Sequence, residues 1–416
     1  MVNGISKNTT KGMIVELRPQ LNLLSPVREE SWDREKVYFR GDDYFRDYLK
    51  SIDSAKRSVD LETYIFEKGW LGDRVISTLI KAVRRGVKVR LLVDGVGSPD
   101  FLDQYGPQLQ KVGIPFHVYR SWPTFFSSIF SRFHFIQPMK SIQAALSIFN
   151  GGKHRDHRKQ CIVDGTKVWI GSFNVSDWHL ERIKGKTVWR DTGISLSGVK
   201  SQVFRLAFQI AWEDVWPRHN ARLYRHSLIQ WLSHDVQGVP IRMTVDRKLR
   251  RLFRKELLEK GNNAQSRIWV LTPYFIPTGP LLRALGRAAK RGCDVRLILP
   301  GQSDVPIVRW ASMTFYPALL KAGCRIFEFQ QRVLHGKTTL VDSWSLVGSS
   351  NLDSRSLRKD LEVNIIPQEK KSIESLEKQF QKDLSESQEV YLADIRKRPL
   401  VSRFLSWVFF RFRSWF

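Results

Sequence analysis

Acidic residues are scarce in this chain: 41 Asp and Glu stand against 68 Lys and Arg among 416 residues, a formal charge of +27. An excess that large implies an anionic partner, and nucleic acid or an acidic lipid surface would each satisfy it. Cysteine is scarcer still. Cys161, Cys293 and Cys324 stand far apart with no CxxC pair, which argues against a disulfide framework or a zinc ribbon and fits a reducing compartment. No uninterrupted apolar stretch reaches spanning length, and Met1 to Gln20 lacks the apolar core of a signal peptide, so the chain does not read as integral to a membrane. With 42% hydrophobic residues and 12% aromatics it has enough apolar surface to offset the entropy of folding. The length suggests about two domains.

The chain repeats itself. Residues 51–97 and 258–301 follow one plan: a short strand (Val59 to Phe66; Ile268 to Ile276), then a helix, then a buried strand (Val87 to Val93; Cys293 to Leu299). In the first copy Leu71, Val75, Leu79 and Val83 recur at helical spacing. Arg84, Arg85 and Gly86 match Lys290, Arg291 and Gly292, basic residues and a glycine that end each helix. A βαβ plan present twice implies an α/β fold. The second part of each copy is sharper. His157, Lys159 and Asp164 are answered by His335, Lys337 and Asp342 as HxKxxxxD, and Gly171, Ser172 and Asn174 by Gly348, Ser349 and Asn351 as GSxN. The interval differs by one residue, which we assign to the turn after each Asp. Each copy then carries an acid on a further strand, Asp191 and Glu362, followed by a helix-like stretch.

Residues two apart on a strand face the same side, so His157 and Lys159 project together, as do His335 and Lys337. One imidazole and one ammonium make a poor catalyst. Two sets gathered by an internal twofold make a phosphoryl site, in which one imidazole attacks phosphorus while the other protonates the leaving alkoxide. Lysines and Asn amides would hold the non-bridging oxygens, and Asp191 and Glu362 would orient the histidines through their second ring nitrogen. Neither metal nor cofactor is expected. The motif places Asp164 and Asp342 with the catalytic set, although a carboxylate where a strand enters a turn favours a capping role. His154, three residues before His157, has no Cys or acid nearby to complete a metal site.

The duplicated HxKxxxxD with GSxN resembles the phospholipase D superfamily, and within it the shorter kind of bacterial cardiolipin synthase, without N-terminal transmembrane helices. Leu61 to Phe66 (LETYIF), Asp94 to Asp100 (DGVGSPD), Asp304 to Arg309 (DVPIVR), Leu334 to Lys337 (LHGK) and Val347 to Asp353 (VGSSNLD) carry the likeness over roughly residues 35–390. The resemblance implies two α/β/α sandwich halves with mixed sheets about a pseudo-twofold, and an active site in their seam. It implies a nucleophilic His157 that becomes a phosphohistidine and His335 as leaving-group acid. Lys159, Lys337, Ser172, Asn174, Ser349 and Asn351 would contact phosphate. Arg158, Gln160 and Cys161 depart from the family's smaller residues and point to a more polar pocket beside His157.

The expected organisation is an N-terminal segment 1–35, a first half 36–225 with an aromatic insert 121–150, a second half 226–393 and a tail 394–416. The tail mixes Phe404, Trp407, Phe409, Phe410, Phe412, Trp415 and Phe416 with Arg403, Arg411 and Arg413, which fits a segment lying among lipid headgroups. Core packing and a lipid-facing lid are equally open for the insert. The reading that follows is a phosphatidyltransferase taking phosphatidylglycerol as donor and a second phospholipid headgroup hydroxyl as acceptor. A hydrolase or a nuclease-like phosphodiesterase is the alternative. Anionic phospholipid is the expected partner rather than nucleic acid, one chain suffices for the site, and the expected place is the cytoplasmic face of the bacterial inner membrane, peripherally bound.

Overall fold

The computed structural model describes residues 32–120, 154–198, 201–215 and 240–397, with a few positions between 225 and 232. The insert 121–150 and the tail beyond residue 397 lie outside the described residues, as does most of the N-terminal segment.

Each half is built on a mixed sheet. In the first, β1 (Arg34–Tyr38), β2 (Ser58–Thr63), β3 (Lys88–Asp94), β4 (Phe116–Tyr119), β5 (Gln160–Val163), β6 (Lys167–Gly171) and β7 (Gly193–Ser197) lie in the order β1-β7-β6-β5-β2-β3-β4. The second comprises β8 (Ile241–Met243), β9 (Arg267–Leu271), β10 (Phe275–Ile276), β11 (Asp294–Pro300), β12 (Arg325–Phe329), β13 (Thr338–Val341), β14 (Trp344–Gly348), β15 (Leu352–Asp353), β16 (Val363–Ile365) and β17 (Ser387–Val390). Its main sheet runs β17-β12-β11-β9-β13-β14-β16-β8, and β10 pairs with β15. Read from β8 inward and stopped before β17, that order is the first sheet again.

The local reasons are those of the sequence. Parallel neighbours need a crossover, and the helices Trp70–Arg84 and Gly279–Lys290 supply it between β2 and β3 and between β9 and β11. Leu71, Val75 and Leu79 are fully buried, and Val83 packs at the edge of the same cluster. Gly86 and Gly292 end the two turns with φ of 86° and 92°. On the first sheet Val59, Leu61, Cys161 and Val163 pack against helices Gly41–Asp53 and Trp70–Arg84. Ile162, Val168 and Ile170 on the other face pack against Gln202–Asp214, so the sheet is covered on both sides.

That second cluster continues into Ile241, Met243, Val363 and Ile365, so the halves share a core. Two boundaries shift. Trp32 is already buried and β1 starts at Arg34, before the expected residue 36, because β1 pairs with β7 and completes the first sheet. A helix, Leu392–Lys397, runs across the expected break after 393.

Candidate active site

Both histidine segments are extended and lie on the seam. The backbone N–H of His157 donates to Leu361 O at 3.0 Å, and that of Leu361 to Arg155 O at 2.8 Å. Opposite, the N–H of Arg190 donates to Val333 O at 2.9 Å and that of His335 to Arg190 O at 2.8 Å. Each bridge joins the histidine segment of one half to the acid-bearing segment of the other. The carboxylates therefore cross over: His157 Nδ1 lies 3.0 and 3.1 Å from the Glu362 oxygens, and His335 Nδ1 lies 2.7 Å from Asp191 Oδ1. A carboxylate at Nδ1 fixes that nitrogen as the donor and leaves each Nε2 for chemistry.

The GSxN motifs place the acids. At Gly171 a Cβ would stand 2.5 Å from Thr192 O, and at Gly348 it would stand 2.3 Å from Val363 O, so only glycine lets the strands approach this closely. The next residue then meets the acid: Ser172 Oγ donates to Asp191 Oδ1 at 2.7 Å, and Ser349 Oγ to Glu362 Oε2 at 2.5 Å. Both serines thus spend their hydroxyl protons on carboxylates, not on a phosphate as expected. Asn174 Oδ1 accepts from the N–H of Ile65 at 3.1 Å, while its buried Nδ2 has no partner.

Lys159 Nζ and Lys337 Nζ each donate to the carbonyl of their own histidine, His157 O and His335 O, at 2.6 Å. An ammonium has three protons, so each keeps two to offer. Burial, then the opposing Lys337, pulls Lys159 down to about 7, and burial pulls Lys337 down to about 8. Burial and Lys337 push His335 down to about 3, and burial with both lysines holds His157 well below the usual imidazole range. Positive charge is costly among these buried, mutually repelling groups. An anion placed among these groups relieves that cost for all four.

The two carboxyls differ. Burial raises Glu362 to about 8, against the pull of Lys159 and Ser349. Burial acts the same way on Asp191, but the imidazoles of His179 and His335 outweigh it and hold Asp191 well below the usual carboxylate range. His179 is a residue the sequence reading missed. Its Nδ1 lies 2.7 Å from Asp191 Oδ2 and its Nε2 accepts the N–H of Asn174 at 3.1 Å. Five residues past the other Asn, Ser356 Oγ accepts the N–H of Asn351 at 3.3 Å. The equal offset is the signal that would have found both. Tyr64, whose ring meets His157 edge-on at 4.9 Å, was also overlooked.

Asp164 and Asp342 are not at this site, which corrects their place in the catalytic set. They directly follow β5 and β13, some seven residues or roughly 20 Å of extended chain from the histidines. Asp164 Oδ1 accepts the N–H groups of Arg57 at 2.6 Å and Ser58 at 3.0 Å, and Asp342 Oδ1 those of Ser266 at 2.9 Å and Arg267 at 3.0 Å. Both take left-handed backbone, with φ of 54° and 50°. The final pairs Val163–Lys167 and Val341–Trp344 put the one-residue difference in this turn, as expected. Arg158 and Gln160 also leave the pocket unaltered. Strand alternation turns them to the opposite face, where Arg158 is held by Asp156 and Glu62 and Gln160 donates to Glu62. His154 Nδ1 meets Lys359 O at 2.5 Å.

A family profile described as "Cardiolipin synthase, PLD-like domain" matches residues 48–189 and 257–384, which contain both histidines and Glu362 and end two residues short of Asp191. Cardiolipin synthase 2 of Bacillus anthracis is 32% identical over 87% of this chain and 67% of its own length. A cardiolipin synthase of Oceanobacillus iheyensis is 30% identical over 88% of this chain and 72% of its own, and one of Clostridium perfringens 28% identical over 88% and 74%. In fold, the crystal structure of a phosphatidylserine synthase from Haemophilus influenzae is similar with a TM-score of 0.65 at 13% identity, covering 99% of this chain and 98% of that one.

Proposed function

This chain belongs to the cardiolipin synthase family of phospholipase D-like proteins and is a phosphatidyltransferase, and we propose that it transfers the phosphatidyl group through His157. The observation that carries the reading is the crossed arrangement, two imidazoles with Nε2 unengaged beside two lysines that still have protons to give. Phosphatidylglycerol enters as donor. Its phosphodiester anion settles among Lys159, Lys337 and the Asn174 amide, and its charge raises the affinity of the imidazoles for protons. His157 Nε2 attacks phosphorus. The ester bond to glycerol breaks as His335, charged and backed by the Asp191 carboxylate, gives its Nε2 proton to the departing oxygen. Neutral His335 then takes the proton of a second headgroup hydroxyl, whose oxygen displaces His157 from phosphorus. Glycerol and cardiolipin leave, and both histidines return to their starting state.

The anionic charge of Asp191 favours a charged His335, while Glu362, with its high proton affinity, favours a neutral His157. That difference supports His157 as nucleophile and His335 as acid. With an activated aryl phosphodiester that needs no acid to leave, His335→Asn should accumulate one phosphatidyl adduct on His157, seen by intact mass, while His157→Asn forms none. Transfer between vesicle lipids should fall about 10²–10⁴-fold in His335→Asn. Phosphatidic acid in place of cardiolipin from wild-type protein would mean hydrolysis and overturn the assignment. Among the described residues no helix is long and apolar enough to cross a membrane. The +27 charge and the lipid substrate support peripheral binding to an anionic bilayer, on the cytoplasmic face of the bacterial inner membrane.

A further inference from the structure

Nineteen residues separate Ser172 from Asp191, but thirteen separate Ser349 from Glu362. Both halves bring serine to carboxylate equally well, so the extra length in the first half is not needed to build the site. It forms a one-turn helix, Glu181–Lys184, and a 3₁₀ turn, Gly185–Thr187, and neither buries a single side chain. The excursion lifts Ile183 into solvent at 40% exposure. Arg182 lies over the ring of Trp70 at 3.6 Å, and Trp70 is itself 45% exposed. Among the described residues only four large hydrophobics are this exposed, and two of them belong here, Trp70 under Arg182 and Ile183 next to it in the chain.

Inward from that patch runs an aromatic path. Lys184 Nζ sits 4.0 Å from the ring of Trp178, Trp178 stacks on Trp189 at 6.1 Å, and the Trp189 ring lies 5.3 Å from that of His335. Exposed Trp70 and Ile183, with Arg182 over the Trp70 ring and Lys184 over the half-buried Trp178, match the chemistry of a lipid headgroup layer, where ring bodies enter the acyl boundary and cations stay with the phosphates. Lys68 and Lys186 add exposed positive charge, while Arg182 also meets Asp42 at 3.3 Å and Glu181 is taken up by Arg40 at 2.8 Å.

We propose that the 181–187 excursion with Trp70 is a membrane-seating surface, which enters an anionic phospholipid bilayer and sets the mouth beside His335 against the headgroups. It rests on the lipid-transfer reading for its purpose but not for its test. In the full chain bearing His157→Asn, so that no lipid is consumed, W70S/I183S should bind phosphatidylglycerol–phosphatidylcholine vesicles about tenfold more weakly than the parent in sedimentation. A polarity-sensitive dye at Ile183→Cys should shift to the blue on those vesicles and not on phosphatidylcholine alone. The same dye at Tyr391→Cys, beyond the edge strand β17, should not shift. In the active protein, W70S/I183S should raise KM for vesicle phosphatidylglycerol while kcat on a water-soluble short-chain analogue stays unchanged. Undiminished vesicle binding, an unshifted dye at 183, an equal shift on the neutral vesicles or at 391, or an equal loss on the soluble analogue would each overturn the proposal. Absence of transfer by the parent protein would count against the reaction assigned above and leave the binding result standing.

Discussion

His179 has no access to the reacting atoms, since one ring nitrogen is taken by Asp191 and the other by the amide of Asn174. It acts through Asp191. By donating a proton to Oδ2 it draws charge away from Oδ1, the oxygen that holds His335. Replacing it with Ala or with Ser, the residue at the equivalent place in the second half, should strengthen the pull of Asp191 on His335 and raise that imidazole's proton affinity. The limb of the kcat/KM profile belonging to His335 is then expected to move upward by about one pH unit. A loss of rate with an unmoved limb would show a packing role alone. The histidines and lysines themselves were legible because they fall in duplicated motifs. His179 was not, because its counterpart is a serine and the two share only an offset and a hydrogen-bonded amide.

At the scale of elements, the spacing within HxKxxxxD measures a strand. Histidine and lysine mark where it enters the seam, and the final Asp marks where it ends and latches onto the start of β2 or β9. Asp164→Ala should therefore lower stability by about 1–3 kcal/mol in urea unfolding, through three unsatisfied amides and an unfavourable left-handed residue. Turnover per folded molecule should not change. The Asp164 carboxyl is held below its usual range mainly by those amides, which outweigh burial, so its contribution is present above about pH 4 and fades as the solution is acidified through the lowered value. The capping role could be read from the turn, and the βαβ units from helical spacing and glycine stops. The face occupied by Arg158 and Gln160 follows from strand alternation, a rule that also governs His157 and Lys159.

For the whole molecule the seam decides the outcome. Arg190 bonds Asp383 through two nitrogens at 2.9 and 2.7 Å, fully buried between the halves, and also contacts Thr192 Oγ1 at 3.0 Å. Arg190→Ala would strand the Asp383 charge and should cost about 3–5 kcal/mol of unfolding free energy. Residues 155–157 meet residue 361 only in the folded chain, which is why the acids could be nominated from sequence but not matched to their histidines. The shared basic centre makes a further measurement possible. A non-hydrolysable phosphodiester analogue raises the proton affinity of every group around it, so binding near pH 8, where Lys337 is about half charged, should take up protons. Calorimetry in two buffers of different ionisation enthalpy reads the sign directly, and proton release would contradict the site as described.

The exchange of carboxylates across the seam also has a consequence for energetic bookkeeping between distant positions. In a double-mutant cycle, Asp191→Asn should be strongly non-additive with His335→Ala and close to additive with His157→Ala, despite Asp191 and His157 belonging to the same repeat. Coupling would thus follow spatial partnership instead of ancestry, and neither copy of the duplicated unit would retain a competent imidazole if its sibling were removed.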